Sequence, residues 1–186
     1  MPNDTPVPSP KISENKKNGP KRPTNSEDLS ILLNKTESKL HRTEMLLSVT
    51  QKIAGLKNLS EILWTLIEMT TKEMGADRGS LFLNDALTGE LYSRVAQGDL
   101  TREIRILNTT GIAGAIFQSG TGEIIHDAYK DDRFNNTIDQ QTGYTTKNIV
   151  CAPVRTVRGD VIGVIQILNK RRGRFTKDDL DILEAI

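Results

Sequence analysis

Cysteine is almost absent from this chain, since Cys151 is the only one among 186 residues. An intramolecular disulfide is therefore excluded, and so is any zinc site that takes two or more cysteines from one chain. A single cysteine fits a reducing, cytosolic setting. It lies between apolar residues in NIVCAPV, where a buried and unreactive thiol is expected.

Histidine is nearly as rare, and this limits the available catalytic chemistry. The two histidines are His41, in a helical segment, and His126, at the end of a strand. Neither stands in a pattern that supplies a nucleophile, a base and an orienting acid. The metal motif HExxH and the phosphate motifs GxxxxGKS/T and GxGxxG do not occur in the sequence. The residues therefore predict neither an enzyme nor a metal site.

An excess of charge of one sign and long apolar runs are also missing. Lys and Arg number 25 against 24 Asp and Glu, a net charge of +1. No global field therefore attracts nucleic acid. No apolar run reaches the roughly 18–20 residues that span a bilayer, and the N-terminus has no signal-peptide pattern. We expect a cytoplasmic protein that binds neither nucleic acid nor membrane.

Composition divides the chain into three parts. Residues 1–26 hold six of the seven prolines, and they are predicted to be a disordered Pro/Lys-rich tail. Residues 27–56 follow as an amphipathic helix, which either dimerises or packs only on its own domain. Three leucines recur in it every seven residues: Leu33, Leu40 and Leu47. Residues 57–186 form the folded domain, and its last helix looks truncated.

Beyond the first helix, the predicted order is helix, hairpin, strand, short helix, strand, polar loop, hairpin and helix. The second helix covers 58–76 with Ser60 as its N-cap, and the last one begins after Thr176. Hairpins exclude a doubly wound parallel sheet and favour an antiparallel sheet with helices on its faces. The predicted strands are 78–85, 89–96, 103–107, 122–128, 148–156 and 160–170.

Two segments have the residue types of a ligand site. Thr110 before GIAGAIF leaves the first amides of a short helix free, so backbone alone could bind a phosphate. The alternative is that these small residues only allow close packing on the sheet. The polar run 134–148 carries neutral donors and acceptors, which suit recognition of a ligand's hydrogen-bonding edge. The alternative there is a solvated surface loop.

The motifs together resemble a GAF domain. Five segments occur in the order and spacing of that family: GSLFLND, GIAGAIFQSGTGEIIHDAYKDDRFN, TGYTTKNIVCAPV, GDVIGVIQILNK and FTKDD. The resemblance covers roughly residues 45–186 and points to the GAF domains of mammalian cyclic-nucleotide phosphodiesterases and cyanobacterial adenylyl cyclases. It implies an α+β fold in α/β/α layers, with a central antiparallel sheet of about six strands. Helices from both ends would pack on one face, and a lidded small-molecule pocket would lie on the other.

The resemblance also implies the residues of a cyclic-nucleotide site. Ala96 and Gln97 stand where cGMP-binding members often have an aromatic residue and Asp, and Gln166 stands where one member has Glu. These differences favour cAMP over cGMP. The start of the short helix would hold the phosphate, and the polar run would form the lid. The implied ligand-binding residues are Arg78, Ser80, Ala96, Gln97, Gly111, Ile112, Ala113, Asp139, Thr142, Thr146 and Gln166.

A structural latch is the last feature that the resemblance implies. The family signature is Asn-Lys, a gap, Phe, three residues and Asp-Glu. Here it reads Asn169, Lys170, Phe175 and Asp179, with Leu180 in place of the final Glu. In the family, the lysine and the aspartate pair and fasten the last strand to the last helix. Both residues are present here.

We therefore expect a regulatory sensor domain in signal transduction that binds a cyclic nucleotide as an allosteric ligand. It needs no other cofactor and does not transform the nucleotide. The outer helices would relay occupancy to a downstream effector in a homodimer joined by the terminal helices. Two alternatives stay open. One is a ligand-free GAF dimerisation module, and the other is the N-terminal regulatory part of an adenylyl cyclase or phosphodiesterase.

Overall fold

The computed structural model describes residues 26–56, 58–98 and 103–186. The predicted tail lies outside these residues except for Ser26, which begins the first helix. The elements in chain order are α1 (Ser26–Ile53), α2 (Leu59–Glu73), β1 (Ala76–Asp85), β2 (Glu90–Ala96), β3 (Arg105–Leu107), α3 (Gly111–Ser119), β4 (Glu123–Ile125), a 3-10 turn (Ala128–Lys130), α4 (Thr137–Thr142), β5 (Ile149–Arg155), β6 (Val161–Lys170) and α5 (Lys177–Glu184).

Two compact units share helix α1. Its residues up to Glu37 belong to the first unit, and the second unit is Ser38–Ile186. In the first unit, the apolar side chains of α1 are exposed, and Thr36 donates its hydroxyl to the carbonyl of Leu32 within the same helix. The packing described below concerns the second unit alone.

The second unit is built on an antiparallel sheet in the order β3-β2-β1-β6-β5-β4. The prediction of a six-stranded antiparallel sheet is therefore confirmed. Asp85 closes the first hairpin, because its carboxylate accepts the Leu87 amide at 3.0 Å, as is typical of an Asx turn. Gly163 lets β6 approach β1 closely, since a Cβ there would overlap the carbonyl oxygen of Phe82.

Each face of the sheet carries its own apolar core. On one face α1, α2 and α5 cover the sheet, and their buried residues include Met45, Val49, Ile67, Leu180 and Leu183. On the other face α3 covers Phe82, Leu91, Ile149, Cys151 and Val164. The layers follow from period-2 alternation along the central strands, which sends neighbouring side chains to opposite faces. The α3 face is therefore the one on which the small-molecule pocket is expected.

Three local predictions were wrong in detail. The N-cap of α2 is Asn58, whose side chain accepts the Ser60 amide at 2.8 Å, and not Ser60 itself. The strand predicted for 122–128 is reduced to the three residues of β4, followed by a 3-10 turn. The polar run contains a short helix, α4, which the sequence did not predict because its residues show no apolar periodicity.

The last helix begins as predicted. Thr176 caps α5 through a capping box, in which its hydroxyl accepts the Asp179 amide while the Asp179 carboxylate accepts the Thr176 amide. Such a cap contributes about 1 kcal/mol. Within the described residues, no helix has the length and apolar character needed to cross a membrane.

Candidate functional site

Three of the predicted ligand residues lie in one row across the sheet. Ser80 of β1 pairs with Ala96 of β2 on one side and with Gln166 of β6 on the other. Gln166 pairs in turn with Cys151 of β5. Because Cys151 belongs to the core beneath α3, the row lies on the face of the sheet that α3 covers. Register thus brings together residues that are far apart in the sequence.

Gln97 has a different role from its neighbour in that row. Its side-chain carbonyl accepts the Gly79 amide at 2.8 Å, and its own amide donates to the Gly79 carbonyl at 3.0 Å. The side chain therefore extends the pairing of β1 and β2 beyond the end of β2. Its carbonyl oxygen bonds to the backbone through one lone pair, and its side-chain NH2 group offers two donors to a ligand.

Arg78 lies two residues before Ser80 on the same face of β1, opposite Leu168. Its guanidinium carbon lies 4.0 Å from the centre of the Tyr144 ring, in a cation–π arrangement. Tyr144 belongs to the segment between α4 and β5. The contact therefore joins the lid to the start of β1.

The start of α3 offers free backbone amides. Gly111 has φ +73°, and the Thr110 N-cap makes no side-chain capping hydrogen bond. The first intrahelical bond runs from the Gly114 amide to the Thr110 carbonyl at 3.1 Å. The amides of Gly111, Ile112 and Ala113 precede it and so have no partner within the helix. The positive end of the helix dipole is directed at the same point.

A cation near the start of α3 is already neutralised. The backbone carbonyl of Arg133 lies 3.7 Å from the position of a Cβ on Gly111. The Arg133 side chain donates to Asp131 at 2.7 Å and to Glu123 at 2.8 Å. These two carboxylates hold the pKa of the guanidinium above its ordinary value. An anion at this point would therefore meet backbone donors rather than a free arginine.

Asp139 organises the lid from within. Asp139 is 6% exposed, and its carboxylate accepts the Thr146 amide at 2.6 Å and the Thr146 hydroxyl at 2.7 Å. The Tyr129 hydroxyl donates to it at 3.1 Å. Thr142, by contrast, is exposed and donates back to the carbonyl of Ile138 within α4. Asp139 and Thr146 thus lie together, whereas Thr142 lies apart from them at the end of α4.

The lid is fastened to β6 by Asn169, whose φ of 56° is the left-handed value that asparagine tolerates. Its side-chain oxygen accepts the Lys147 amide at 2.6 Å, and its NH2 group donates to the Thr145 carbonyl at 2.8 Å. The Asn148 amide also points to that oxygen, at 3.4 Å. One side chain therefore holds the segment that leads from the lid into β5.

The predicted latch residues surround the start of α5. Lys170 donates to the two carboxylate oxygens of Asp179 at 2.7 and 2.6 Å. Phe175 is 2% exposed, and the ammonium group lies 5.6 Å from the centre of its ring. The hydrogen bonds to the lid come from Asn169, and the ion pair to α5 comes from the next residue, Lys170.

Catalytic and metal chemistry has little support in this arrangement. Burial raises the pKa of the Cys151 thiol to about 12, so thiolate is scarce at neutral pH. Within 26–56, 58–98 and 103–186, no three His, Cys, Asp or Glu side chains are grouped as metal ligands. A separate concavity of about 470 Å³ lies at the far end of α3, where Arg155 and Glu184 are among its lining residues.

Comparison with protein families decides the classification. Residues 58–186, more than half of the chain, match the GAF domain family. This chain belongs to the GAF domain family. Among solved structures, the GAF domain from a phosphoenolpyruvate-protein phosphotransferase of Coxiella burnetii is similar with a TM-score of 0.69 and 18% identity. That similarity covers 77% of this chain and 86% of the other, and it concerns the fold alone.

Curated relatives of this GAF domain include cyclic-nucleotide phosphodiesterases. It is 38% identical to a probable 3′,5′-cyclic phosphodiesterase of Caenorhabditis elegans, over 76% of this chain and 21% of that protein. It is 34% identical to the dual 3′,5′-cyclic-AMP and -GMP phosphodiesterase 11 of Drosophila melanogaster, over 78% of this chain and 11% of that protein.

The chain spans about a fifth or less of the length of these two relatives. The GAF domain is regulatory rather than catalytic, and the activity in the relatives' names belongs to parts that this chain does not cover. The predicted GAF fold and the prediction that these residues form no catalytic site are confirmed.

Sequence reasoning missed the contacts of two residues of this GAF domain. It gave no role to Tyr144, the aromatic residue in the polar run, and it did not predict that Asn169 holds the lid. The runs TGY and QILNK contain the only hints: an aromatic residue after a helix-ending glycine, and an asparagine at the end of a strand. Their contacts depend on how β6 meets the lid, which local patterns do not specify.

Proposed function

We propose that this GAF domain is a sensor that binds a cyclic nucleotide, with cAMP preferred over cGMP. One observation carries the proposal: the row Ala96, Ser80 and Gln166 lies on the sheet face covered by α3, whose first amides have no side-chain cap. A polar row for a base and free amides for a phosphate are the two features that a cyclic nucleotide requires.

In this proposal the amides of Gly111, Ile112 and Ala113 bind the cyclic phosphate. The helix dipole and the free N–H groups favour an anion there. Arg133 is paired with Glu123 and Asp131 and adds no net attraction for the phosphate, so the backbone amides are the donors on which binding depends. Asp139, Thr142 and Thr146 form the lid, and the hydrogen bonds between Asp139 and Thr146 support a closed conformation of it.

The preference for cAMP rests on the sheet row. The amide of Gln166 combines a donor and an acceptor, which suits the N6 and N7 positions of adenine. Ser80 adds a hydroxyl, and Arg78 and Gln97 flank the row with donors. Since the Gln97 carbonyl already accepts the Gly79 amide, the Gln97 side chain offers a ligand its NH2 donors more readily than its acceptor, which disfavours the donors of guanine.

Occupancy is relayed, in this proposal, from the lid through Asn169 and Lys170 to α5, in a cytoplasmic homodimer whose terminal helices pass the signal to an effector. The contacts of Asn169 with the lid and of Lys170 with Asp179 support this route. The proposed organisation is a tail at 1–26, a helix at 27–56 and the GAF domain at 57–186. The effector could be the catalytic part of a phosphodiesterase or an adenylyl cyclase.

Isothermal titration of the chain with cAMP and with cGMP tests the proposal. We expect saturable 1:1 binding of cAMP and weaker binding of cGMP. Gln166→Glu should weaken cAMP binding about tenfold, because one bidentate base contact discriminates by about 1–3 kcal/mol. Glu184→Gln, at the concavity near the end of the chain, is the matched control and should bind as the wild type does. Absence of saturable heat with both nucleotides would refute the proposal.

A ligand-free dimerisation module is the second candidate. Exposed leucines on α1 favour it, since Leu40 is 58% exposed and Leu47 is 56% exposed. The discriminating variant replaces Thr142 and Thr146 with alanine. A chain that remains dimeric without nucleotide, and that binds none in its wild-type form, would support this candidate over the sensor.

A further inference from the structure

The Tyr144 hydroxyl is buried, and its proton has no acceptor among the described residues. Buried polar side-chain atoms nearly always have a partner, and leaving one without any destabilises a protein. The missing acceptor of this buried hydroxyl therefore needs a physical explanation. It stands in the lid, directly after Gly143, which ends α4 with φ +68°.

The polar groups around Tyr144 are committed elsewhere. The Asn169 NH2 group lies next to the hydroxyl and can only donate to it, as it does to the Thr145 carbonyl, while the Asn169 side-chain oxygen accepts the Lys147 amide. Asp77 is paired with Arg171 at 2.8 Å, and Asp139 accepts from Thr146. Burial raises the pKa of Tyr144 to about 12. The phenol thus stays protonated near neutral pH and is available as a donor.

Tyr144 lies close to the row formed by Ala96, Ser80 and Gln166. Its ring stacks on Arg78, which shares a face of β1 with Ser80. The same guanidinium lies beside Gly98, just beyond β2, where a Cβ would come within 2.5 Å of Nη1. Tyr144 therefore reaches the edge of the row at the ends of β1 and β2. That edge is where the proposed function places the base.

We propose that Tyr144 is a ligand contact that determines affinity, and that its hydroxyl donates a hydrogen bond to an acceptor on the base of the bound nucleotide. This inference rests on the proposed function. The ring and Arg78 cover the base, and the nucleotide supplies the partner that the protein does not. A hydroxyl whose proton has no acceptor in the protein lowers the stability of the ligand-free state and raises the affinity for the ligand.

Tyr144→Phe is the test, because it removes the hydroxyl and keeps the ring on Arg78. Two quantities are measured: the Tm of the chain without nucleotide and the Kd for cAMP by titration calorimetry. We expect the Tm to rise, since an unsatisfied polar atom is removed, and the Kd to increase about tenfold, since one hydrogen bond to the ligand is lost. Tyr92→Phe is the matched control, since Tyr92 also lies near an arginine, Arg105 at 5.3 Å, and it should leave both quantities unchanged.

The outcomes separate this inference from the proposed function. If wild-type protein binds neither cAMP nor cGMP, both fail. If wild-type protein binds cAMP and Tyr144→Phe binds it equally well, only the inference is refuted. A lowered Tm with an unchanged Kd also refutes it, because the hydroxyl would then have a structural role alone. A raised Tm together with a weakened affinity supports it.

Discussion

At the scale of single residues, Cys151 and Tyr144 are two groups whose ionisation the fold opposes. Burial raises the pKa of each to about 12, from 9.0 for the thiol and from 10.0 for the phenol. Cys151 lies in the core beneath α3, and Tyr144 lies in the lid. Both stay neutral through the physiological range, so neither supplies charge to the site.

The raised pKa of Cys151 predicts a loss of stability in alkali. Between pH 9 and 12 the unfolded thiol ionises while the native thiol keeps its proton. The native state then binds more protons, and stability falls as pH rises, by about 1.4 kcal/mol per pH unit from this group. Below pH 8 the thiol is protonated in both states, and its full contribution to the free energy of unfolding is present.

Urea unfolding at pH 8 and pH 10 measures this effect in wild-type protein and in Cys151→Ala. The wild type should lose about 1 kcal/mol more than the variant between the two pH values. Equal losses would mean that the thiol ionises in the native state as it does in the unfolded chain. Other groups that titrate in this range act on both proteins and cancel in the comparison.

At the scale of elements, the Lys170–Asp179 pair and the cap of α5 share one carboxylate. The side chains are 19% and 10% exposed, and Asp179 also accepts the Thr176 amide at 2.7 Å. Removal of the carboxylate therefore disrupts two interactions, whereas removal of the ammonium group disrupts one. The two ends of the latch are unequal in their effect on stability.

The latch predicts that Asp179→Ala is more destabilising than Lys170→Met. We expect Asp179→Ala to lower the free energy of unfolding by about 3 kcal/mol and Lys170→Met to lower it by about 1–2 kcal/mol. Urea unfolding at neutral pH measures both. Lys177→Met, in an exposed pair with Asp181, is the control and should change stability by less than about 0.5 kcal/mol. Equal effects of the first two variants would contradict the shared role of Asp179.

Asn169 predicts a local effect on the lid. Asn169→Gly keeps the left-handed backbone and removes the side-chain bonds to Thr145, Lys147 and Asn148. Amide exchange at Lys147 and Asn148 should accelerate, while exchange in α5 should not change. Asn135→Ala, elsewhere in the polar run, is the control. Faster exchange throughout α5 instead would mean that Asn169 supports the whole strand end.

Some of the helices and strands could be predicted from the sequence, and others could not. Hairpins and the start of α3 were predictable, because turn residues and apolar periods are local. The short helix α4 was not, because six polar residues carry no period. The row of Ala96, Ser80 and Gln166 depends on register between strands, which no single strand specifies. The missing partner of Tyr144 depends on tertiary contacts, and only the resemblance to a family had placed ligand residues near it.

At the scale of the whole molecule, α1 is the element whose apolar residues are least covered. In the unit Ser38–Ile186, its Met45 and Val49 are buried in the core, while Leu40 and Leu47 are exposed. Thr43 and Thr50 donate to carbonyls of the same helix at 2.9 and 2.8 Å, so their hydroxyls need no outside partner. Exposed leucines seven residues apart are typical of a helix that pairs with a second copy.

We therefore expect the chain to be a dimer and the double variant Leu40→Glu, Leu47→Glu to be a monomer. Charges at these positions would lie against each other across a helix pair, at a cost that apolar contacts no longer offset. Sedimentation velocity measures the change. Leu87→Glu, in a hairpin turn with Leu87 98% exposed, is the matched control and should stay dimeric. A monomeric wild type at micromolar concentration would contradict dimerisation through α1, and a dimeric double variant would place the interface on another element.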